Sequence, residues 1–181
     1  MKRCTLLIVV VLALLSWTSF AVASAQLGIH LGIQKAPDAD NANLMGGILV
    51  RSKISDWAIE GSIDYRQDKF YDGNVTVRQW PVMLTLLYYP IPVLHADLGA
   101  GWYNTTIDYG SDYESYGARD ETLQRFGWHF GAGVEFPLDR VTLTADLRYV
   151  FLDYNWNYVP GTGGRKGNFY MLTIGLLSGP K

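Results

Sequence analysis

The feature that most constrains the fold is a stretch of strict two-residue alternation at residues 124–136. Apolar side chains occupy every even position from 126 on, ending at Phe136, while Arg125, His129 and Glu135, with glycines between them, occupy odd positions. A period of two is typical of a β-strand, because successive side chains point to opposite faces, and it excludes a helix. The stretch therefore predicts a long strand with one apolar and one polar face.

A second alternating stretch, residues 141–151, follows after a tight turn of four residues. Together the two stretches predict an antiparallel hairpin. If Phe136 pairs with Val141, apolar side chains face each other along the whole hairpin, and His129 lies opposite Arg148. A slip of one residue would put apolar side chains opposite polar ones, so we predict this register.

The polar face of the hairpin indicates the environment in which it folds. In a soluble sheet this face would meet water and would carry mainly Thr, Lys, Ser and Glu. Here glycines alternate with Arg, His, Glu and Asp, which makes room for long side chains inside a narrow closed space. A transmembrane barrel, apolar towards lipid and polar inside, explains the pattern better than a soluble sandwich does.

The rest of the chain supplies six further predicted strands, and the connections between strands alternate in length. We therefore predict an all-β fold, an eight-stranded antiparallel up-and-down transmembrane β-barrel with short periplasmic turns and long outer loops. A bulge is expected at Pro81, which lacks a ladder donor. The further strands are residues 26–34, 44–52, 57–66, 75–88, 94–106 and 168–177, the turns are 53–56, 89–93 and 137–140, and the loops are 35–43, 67–74, 107–123 and 155–167.

The first 25 residues have the features of a cleaved secretion signal, which leaves residues 26–181 as the barrel domain. Lys2 and Arg3 precede an apolar run, and Ala23-Ser24-Ala25 forms a small-residue cleavage site. Cys4 lies before the run, so the mature chain has no cysteine with which to form a disulfide. It carries 13 basic and 17 acidic residues, a balance that argues against nucleic acid as a partner. No later stretch approaches the ~20 apolar residues that a spanning helix needs.

Aromatic residues on the predicted outer face group at two heights. Phe136 and Trp128 are eight residues apart on one strand, which is roughly 20 Å of height for a tilted strand. The apolar band of such barrels is about 25 Å tall, so the sequence predicts an aromatic girdle at each membrane interface. The girdle residues are Trp57 and Tyr88 near the short turns, and Tyr65, Trp102, Trp128, Tyr149 and Tyr170 near the long loops.

Residues 130–136, Phe-Gly-Ala-Gly-Val-Glu-Phe, and residues 146–149, Asp-Leu-Arg-Tyr, resemble the closing half of small Gram-negative outer-membrane barrels. The similarity is to the opacity-protein-like family, related to the transmembrane domain of the major outer-membrane protein A, and it covers essentially the whole chain. It implies a place in the cell outer membrane, contact with outer-membrane lipids and lipopolysaccharide, and insertion by the barrel-assembly machinery. Such barrels often end on an aromatic residue that this machinery reads, whereas this chain ends Ser178-Gly179-Pro180-Lys181.

The interior of an eight-stranded barrel is just wide enough for side chains to fill. Charges on the predicted inner face must therefore pair, because a buried charge left alone costs several kcal/mol. We predict an ionic network across the lumen, centred on Arg148 and plugging the barrel. Its predicted members are Glu60, Asp64, Arg66, Asp97, Arg125, His129, Glu135, Asp146 and Arg148.

Three kinds of function remain open. The favoured one is a non-catalytic barrel, monomeric and without a cofactor, that acts structurally or binds a host or envelope partner through its loops. Residues 107–123 form the longest loop and are acidic and rich in tyrosine. The second is a small pore or solute conduit. The third, a lipid-modifying enzyme, is disfavoured because His30, His95 and His129 all face inward, without a serine motif or the His-x-x-x-His spacing of a metal site.

Overall fold

The computed structural model describes residues 25–36, 41–70, 75–109, 121–152 and 168–179. The predicted secretion signal, residues 1–25, lies outside these ranges except for its last residue, as do the central parts of the long loops. Within the described ranges the chain forms eight strands: β1 (Ala25–Lys35), β2 (Asn43–Ile54), β3 (Trp57–Phe70), β4 (Val75–Ile91), β5 (Leu94–Tyr109), β6 (Glu121–Pro137), β7 (Val141–Leu152) and β8 (Phe169–Ser178).

The eight strands close into one barrel. Each strand pairs antiparallel with its neighbour in sequence, and β1 pairs with β8, with Ile29 opposite Leu176, so that the sheet has no free edge. The predicted all-β, up-and-down barrel is confirmed. In the part of the chain that the structure describes, no helix is long and apolar enough to cross a membrane.

The strands extend further towards the long loops than the alternation predicts. β3 continues to Phe70, β5 continues to Tyr109, and β6 begins at Glu121. These extensions mix polar and apolar residues, yet they pair in register. A ladder needs only backbone hydrogen bonds, so strands can continue beyond the apolar band, where side-chain alternation no longer marks them.

The predicted register of the hairpin between β6 and β7 is wrong by two residues. Phe136 lies opposite Leu143 rather than Val141, and Arg148 lies opposite Gly131 rather than His129. A shift of two residues keeps every side chain on its predicted face, so alternation alone could not exclude it. In the observed register the largest inward side chain of β7 meets a glycine, which has no Cβ to occupy the same space.

The predicted bulge at Pro81 is also wrong. The β3–β4 pairs on either side of it, Ile63 with Val82 and Arg66 with Gln79, keep one register. Pro81 itself stands opposite Tyr103 of β5, and the irregularity of β4 lies between Tyr88 and Ile91 instead. A missing N–H removes a single ladder bond, which a long ladder tolerates without a change of register.

The barrel is apolar outside and polar inside, the reverse of a soluble protein. Leu31 is 71% exposed and Leu84 62% exposed on the outer surface, whereas His129 and Arg148 are buried in the interior. Alternation places these side chains on opposite faces, as the sequence predicts. An outer surface of this kind requires a hydrocarbon environment.

Candidate functional site: the barrel interior

The half of the interior nearest the short turns is filled by charged and polar side chains from six neighbouring strands, β2 to β7. Every one of these residues is at most 7% exposed. They occupy inward positions close to the three short turns, and the register brings them to a similar height. We call this set the ionic cluster: Arg51, Glu60, Tyr89, His95, Asp97, Glu135, Asp146 and Arg148.

Arg51 joins opposite walls of the barrel within this cluster. Its Nε donates to Oε2 of Glu60 on β3 at 2.8 Å, and its Nη1 donates to Oε1 of Glu135 on β6. The hydroxyl of Tyr89 also donates to Oε1 of Glu135, at 2.5 Å. Lys53 lies over the Tyr89 ring, with Nζ 3.5 Å from its centroid and 3.8 Å from Oε2 of Glu135. These contacts cover the mouth of the barrel on the side of the short turns.

Arg148 lies one layer deeper and contacts three carboxylates. Its Nη2 donates to Oε1 of Glu60 at 2.8 Å and to Oδ1 of Asp146 at 3.3 Å. Its Nε is 3.5 Å from Oδ2 of Asp97, too far for a hydrogen bond. Because Glu60 accepts from both Arg51 and Arg148, the two arginines are linked through one buried carboxylate.

His95 completes the cluster on the side of β5. Its Nε2 is hydrogen bonded to Oδ1 of Asp146 at 2.9 Å. One ligand atom from each of His95, Asp97 and Asp146 lies within 4.8 Å of the other two, so these side chains could hold a metal ion.

The structure brings together five of the nine residues predicted for the network: Glu60, Asp97, Glu135, Asp146 and Arg148. The other four lie outside the ionic cluster. Asp64 lies 2.5 Å from Nε2 of His30, the guanidinium of Arg66 lies 3.6 Å from the centroid of the Phe169 ring, and His129 is hydrogen bonded to Thr85 at 3.0 Å. Arg125 is only half-buried, and its Nε has no hydrogen-bond partner among the described residues.

Sequence reasoning missed Arg51, although a signal for it was available. The turn between β2 and β3 is only two residues long, Ser55-Asp56, which places Arg51 directly opposite Glu60. β2 carries apolar side chains on both faces, with Ile48 outward and Leu49 inward, so its inner face could not be assigned from alternation. Pairing a basic residue with an acidic one across a short turn would have assigned it.

The half of the interior nearest the long loops holds a group of packed apolar side chains, with the polar side chains of Gln34, Arg66, Gln79 and Thr105 buried at the same end. The hydroxyl of Tyr103 donates to Sδ of Met83 at 3.2 Å, and its ring meets the edge of Phe169 with centroids 6.2 Å apart. Neither aromatic ring is exposed by more than 1%. We call this set the apolar layer: Met45, Met83, Tyr103, Val150, Leu152, Phe169 and Met171, with Ala36 beside them.

One group of side chains resembles the parts of a catalytic triad and fails as one. Ser62 donates to Oδ2 of Asp64 at 3.3 Å, while Oδ1 of Asp64 faces His30. A triad needs the histidine between the serine and the acid, so that the imidazole can accept the hydroxyl proton. Here the carboxylate stands in the middle, and all three side chains are buried.

The aromatic residues predicted to form girdles meet in groups on the outer face. Trp57 and Tyr88 pack together near the short turns, with ring centroids 4.8 Å apart. Near the long loops the contacts join Tyr65 to Trp80, Trp102 to Phe126, Trp128 to Phe151, and Tyr149 to Tyr170. Neighbouring strands therefore present aromatic rings at similar heights.

Comparison with known proteins agrees with this architecture. Neisserial surface protein A superposes with a TM-score of 0.56 at 16% identity, over 85% of this chain and 94% of the other. The attachment invasion locus protein of Yersinia pestis superposes with a TM-score of 0.53 at 18% identity, over 84% of this chain and 97% of the other. The outer membrane protein OprG of Pseudomonas aeruginosa superposes with a TM-score of 0.52 at 15% identity, over 86% of this chain and 95% of the other.

Sequence comparison identifies the family. No curated protein matches the chain. The family model described as outer membrane protein beta-barrel domain matches residues 7–176, nearly the full length. Its match agrees with the closed barrel, the apolar outer face and the polar interior. The chain therefore belongs to the outer-membrane β-barrel family, and it is a protein of the cell outer membrane.

Proposed function

We propose that the protein is a non-conducting, non-catalytic outer-membrane barrel that acts structurally or by surface interaction through its extracellular loops. The observation that carries the proposal is the filling of the interior in two layers. The ionic cluster occupies the half nearest the short turns, and the apolar layer occupies the half nearest the long loops. An ion crossing the barrel would have to displace paired charges and then pass between closely packed apolar side chains, which is costly at both steps.

The burial of the reactive groups supports a non-catalytic role. His30, His95 and His129 are each at most 5% exposed, and their contacts are to other inward side chains. A general base must come within hydrogen-bond reach of its substrate. Histidines enclosed in this way cannot meet a lipid or a peptide at the surface.

The composition of the loop between β5 and β6 suggests what a partner would offer. Residues 110–120, which connect these strands, contain three acidic residues and one basic residue. Such a loop favours a partner with a basic surface, because complementary charge speeds association and excludes acidic competitors. The Yersinia pestis protein has been seen in complex with the heparin analogue sucrose octasulfate, a polyanion. The acidic loop of this chain would repel such a ligand, so we propose a partner of opposite charge.

Planar lipid bilayers test the closed interior. The wild-type barrel should give no steady conductance. A variant that shortens one large side chain of the ionic cluster and two of the apolar layer, Arg148→Ser with Tyr103→Ser and Phe169→Ser, should conduct if it folds. The matched control changes outward side chains of the same strands, Tyr149→Ser, Trp102→Ser and Tyr170→Ser, and should stay silent. A reproducible open channel in the wild type would reject the proposal and establish the pore instead.

Cell adhesion tests the surface interaction. Intact cells that display the protein should bind polylysine-coated beads, and neutralising Asp112, Glu114 and Asp120 to their amides should reduce the binding. The reduction should fade at high salt, because exposed charges are screened over about 8 Å at physiological ionic strength. Replacing Ser111 and Ser115 by alanine is the control. If the charged and control variants bind alike, the loop has no such role.

A further inference from the structure

We propose that His95, Asp97 and Asp146 bind a divalent transition-metal cation, of which Zn²⁺ is the best fit, inside the ionic cluster. The three residues are buried at 0%, 5% and 4% exposure. They come from two strands, β5 and β7, that are not neighbours, so no sequence spacing could have revealed them. One ligand atom of each lies within 4.8 Å of the other two, a span that a small inward movement of side chains closes around one ion.

Asp97 is the first independent observation in favour of a ligand. Its side chain is fully buried, yet neither carboxylate oxygen has a hydrogen-bond partner among the described residues. The nearest cation is Nε of Arg148, at 3.5 Å from Oδ2. A buried carboxylate with no donor is expensive, and native structures nearly always satisfy such groups. A bound cation would satisfy Asp97.

The charge of the cluster is the second observation. Four carboxylates, Glu60, Asp97, Glu135 and Asp146, face the two guanidinium groups of Arg51 and Arg148. The net charge of the enclosed cluster is therefore −2. Lys53 is not counted, because its side chain is 40% exposed at the mouth of the barrel, where its Nζ lies 3.8 Å from Oε2 of the outermost carboxylate, Glu135. One divalent cation brings the enclosed charges to neutrality.

The wall of the barrel leaves room for these ligands. A Cβ at Gly133 would stand 2.5 Å from Nε2 of His95, and a Cβ at Gly131 would stand 2.9 Å from Oδ2 of Asp97. Two glycines on β6 thus allow the imidazole and the carboxylate to lie against the backbone. This is the close approach for which glycine is needed in a strand.

The donor set selects the ion. One imidazole and two carboxylates suit Zn²⁺ and related first-row metals, whereas Ca²⁺ and Mg²⁺ prefer oxygen ligands alone. Coordination would replace the hydrogen bond between Nε2 of His95 and Oδ1 of Asp146. The neutral imidazole would bind through Nε2 and carry its one proton on Nδ1, and water would be a fourth ligand. Arg148 would keep its hydrogen bond to Glu60 at 2.8 Å and hold Asp146 from the side.

Histidine NMR of the wild-type barrel tests the proposal without any variant. The protein has three histidines, so His30 and His129 serve as internal references. The barrel is refolded into detergent micelles with ZnCl₂ or with a chelator, and the ring nitrogens are compared. The ring-nitrogen resonances of one histidine should shift between the two samples, and those of the other two should not. Three unmoved histidines, or a shift confined to His30 or His129, would overturn the proposal.

Metal content and Co²⁺ absorption test the ligand set. The refolded wild type should retain about one Zn²⁺ per barrel after removal of the excess, and Co²⁺ should give the visible bands of a four-coordinate site. Asp97→Asn, of nearly the same shape, should weaken binding at least about 100-fold, since even outer-shell changes cost 10–100-fold. His129→Gln, another buried inward histidine, should bind as the wild type does.

Two outcomes would overturn the proposal here. One is the absence of retained metal in a correctly folded wild type, which would leave protonation of Asp97 as the way its charge is removed. The other is equal retention by Asp97→Asn and the wild type. Because neither readout depends on conductance or adhesion, this inference can fail while the proposed function stands.

Discussion

Gly131 lies directly opposite Arg148 in the ladder between β6 and β7, and a Cβ at Gly131 would stand 2.8 Å from Cγ of Arg148. It would stand closer still to the backbone carbonyl oxygen of Leu147, which cannot turn away. We expect Gly131→Ala to destabilise the barrel by about 1–3 kcal/mol, the usual cost of forcing atoms into a filled interior. Urea unfolding in detergent micelles, followed by tryptophan fluorescence, measures the change.

Gly61 provides the matched control, since it lies on the outer face of β3. A Cβ there meets no heavy atom within 4 Å. Gly61→Ala should be neutral or stabilise the barrel by up to about 1 kcal/mol, because alanine restricts the unfolded chain. Equal destabilisation by the two substitutions would mean that contact with Arg148 is not what requires glycine at 131.

Removal of Arg148 should be among the most damaging changes to a single side chain. Arg148→Ala leaves Glu60 and Asp146 with a buried charge and one donor fewer, and breaking a buried ion pair in this way costs about 3–5 kcal/mol. The barrel should then unfold at a lower temperature, seen as a lower transition in gel mobility. Arg78→Ala is the control, because the side chain of Arg78 is 48% exposed in its pair with Asp108. Its cost should stay below about 1 kcal/mol.

A double variant separates lost charge pairing from lost packing. Arg148→Met with Glu60→Gln keeps most of the volume and removes one charge of each sign. It should recover part of the stability that Arg148→Met alone loses. If the double variant is no more stable than the sum of the two single changes predicts, the ion pair is not the cause.

A charge on the outer face should block assembly according to its depth. Leu147 lies near the middle of β7 and is 55% exposed, so Leu147→Arg should cost about 2–4 kcal/mol at the centre of the bilayer. Leu44 lies at the loop end of β2, and Leu44→Arg should cost no more than about 1 kcal/mol. The amount of folded protein in outer-membrane fractions measures both. Equal loss for the two variants would argue against a membrane centred on Leu147.

Trypsin added to intact cells should cut the protein in the acidic loop, at Arg119, and should leave Arg125 and Arg140 uncut. Arg119 belongs to the predicted loop and lies outside the described residues. Arg125 lies only six residues later, but it is part of β6, where it pairs with Tyr103 of β5, so the peptide bond after it should resist cleavage. Arg140 lies in the short turn before β7 and should stay protected by the membrane until cells are lysed. Cutting at Arg140 first would mean that the barrel has the opposite orientation.

Alternation predicted the faces of the strands but left the pairing of neighbouring strands open to shifts of two residues. The hairpin of β6 and β7 shows the limit, because pairing Phe136 with Val141 or with Leu143 gives the same faces. Side-chain volume decides between them: only the second places Gly131 beside Arg148 and Gly133 beside Asp146. Sequence reasoning that matched large inward residues to glycines, as well as apolar to apolar, would have reached the observed register.

The interior was only partly predictable for a different reason. Whether a residue faces inward is a local property, but which inward residues meet depends on closure of the whole sheet. Glu60 and Arg148 lie on β3 and β7, on opposite walls, and no local pattern connects them. Asp64 likewise meets His30 because β1 and β3 flank β2. Two inward residues on different strands can meet only if they lie at the same height in the closed barrel, and that height depends on the register of every strand between them.

The pairing of β1 with β8 has a consequence for biogenesis. Ile29 and Leu176 face each other across almost the full length of the chain, so the seam cannot form until the last strand has been made and delivered. Until then the first and last strands each present unpaired N–H and C=O groups, which hydrocarbon cannot satisfy. A partial barrel is therefore costly in the hydrocarbon, and a chain that stops short of β8 lacks the strand that pairs with β1. Because synthesis runs from the N-terminus to the C-terminus, the ten-residue strand β8 is the last to be made, and its pairing with β1 completes the barrel.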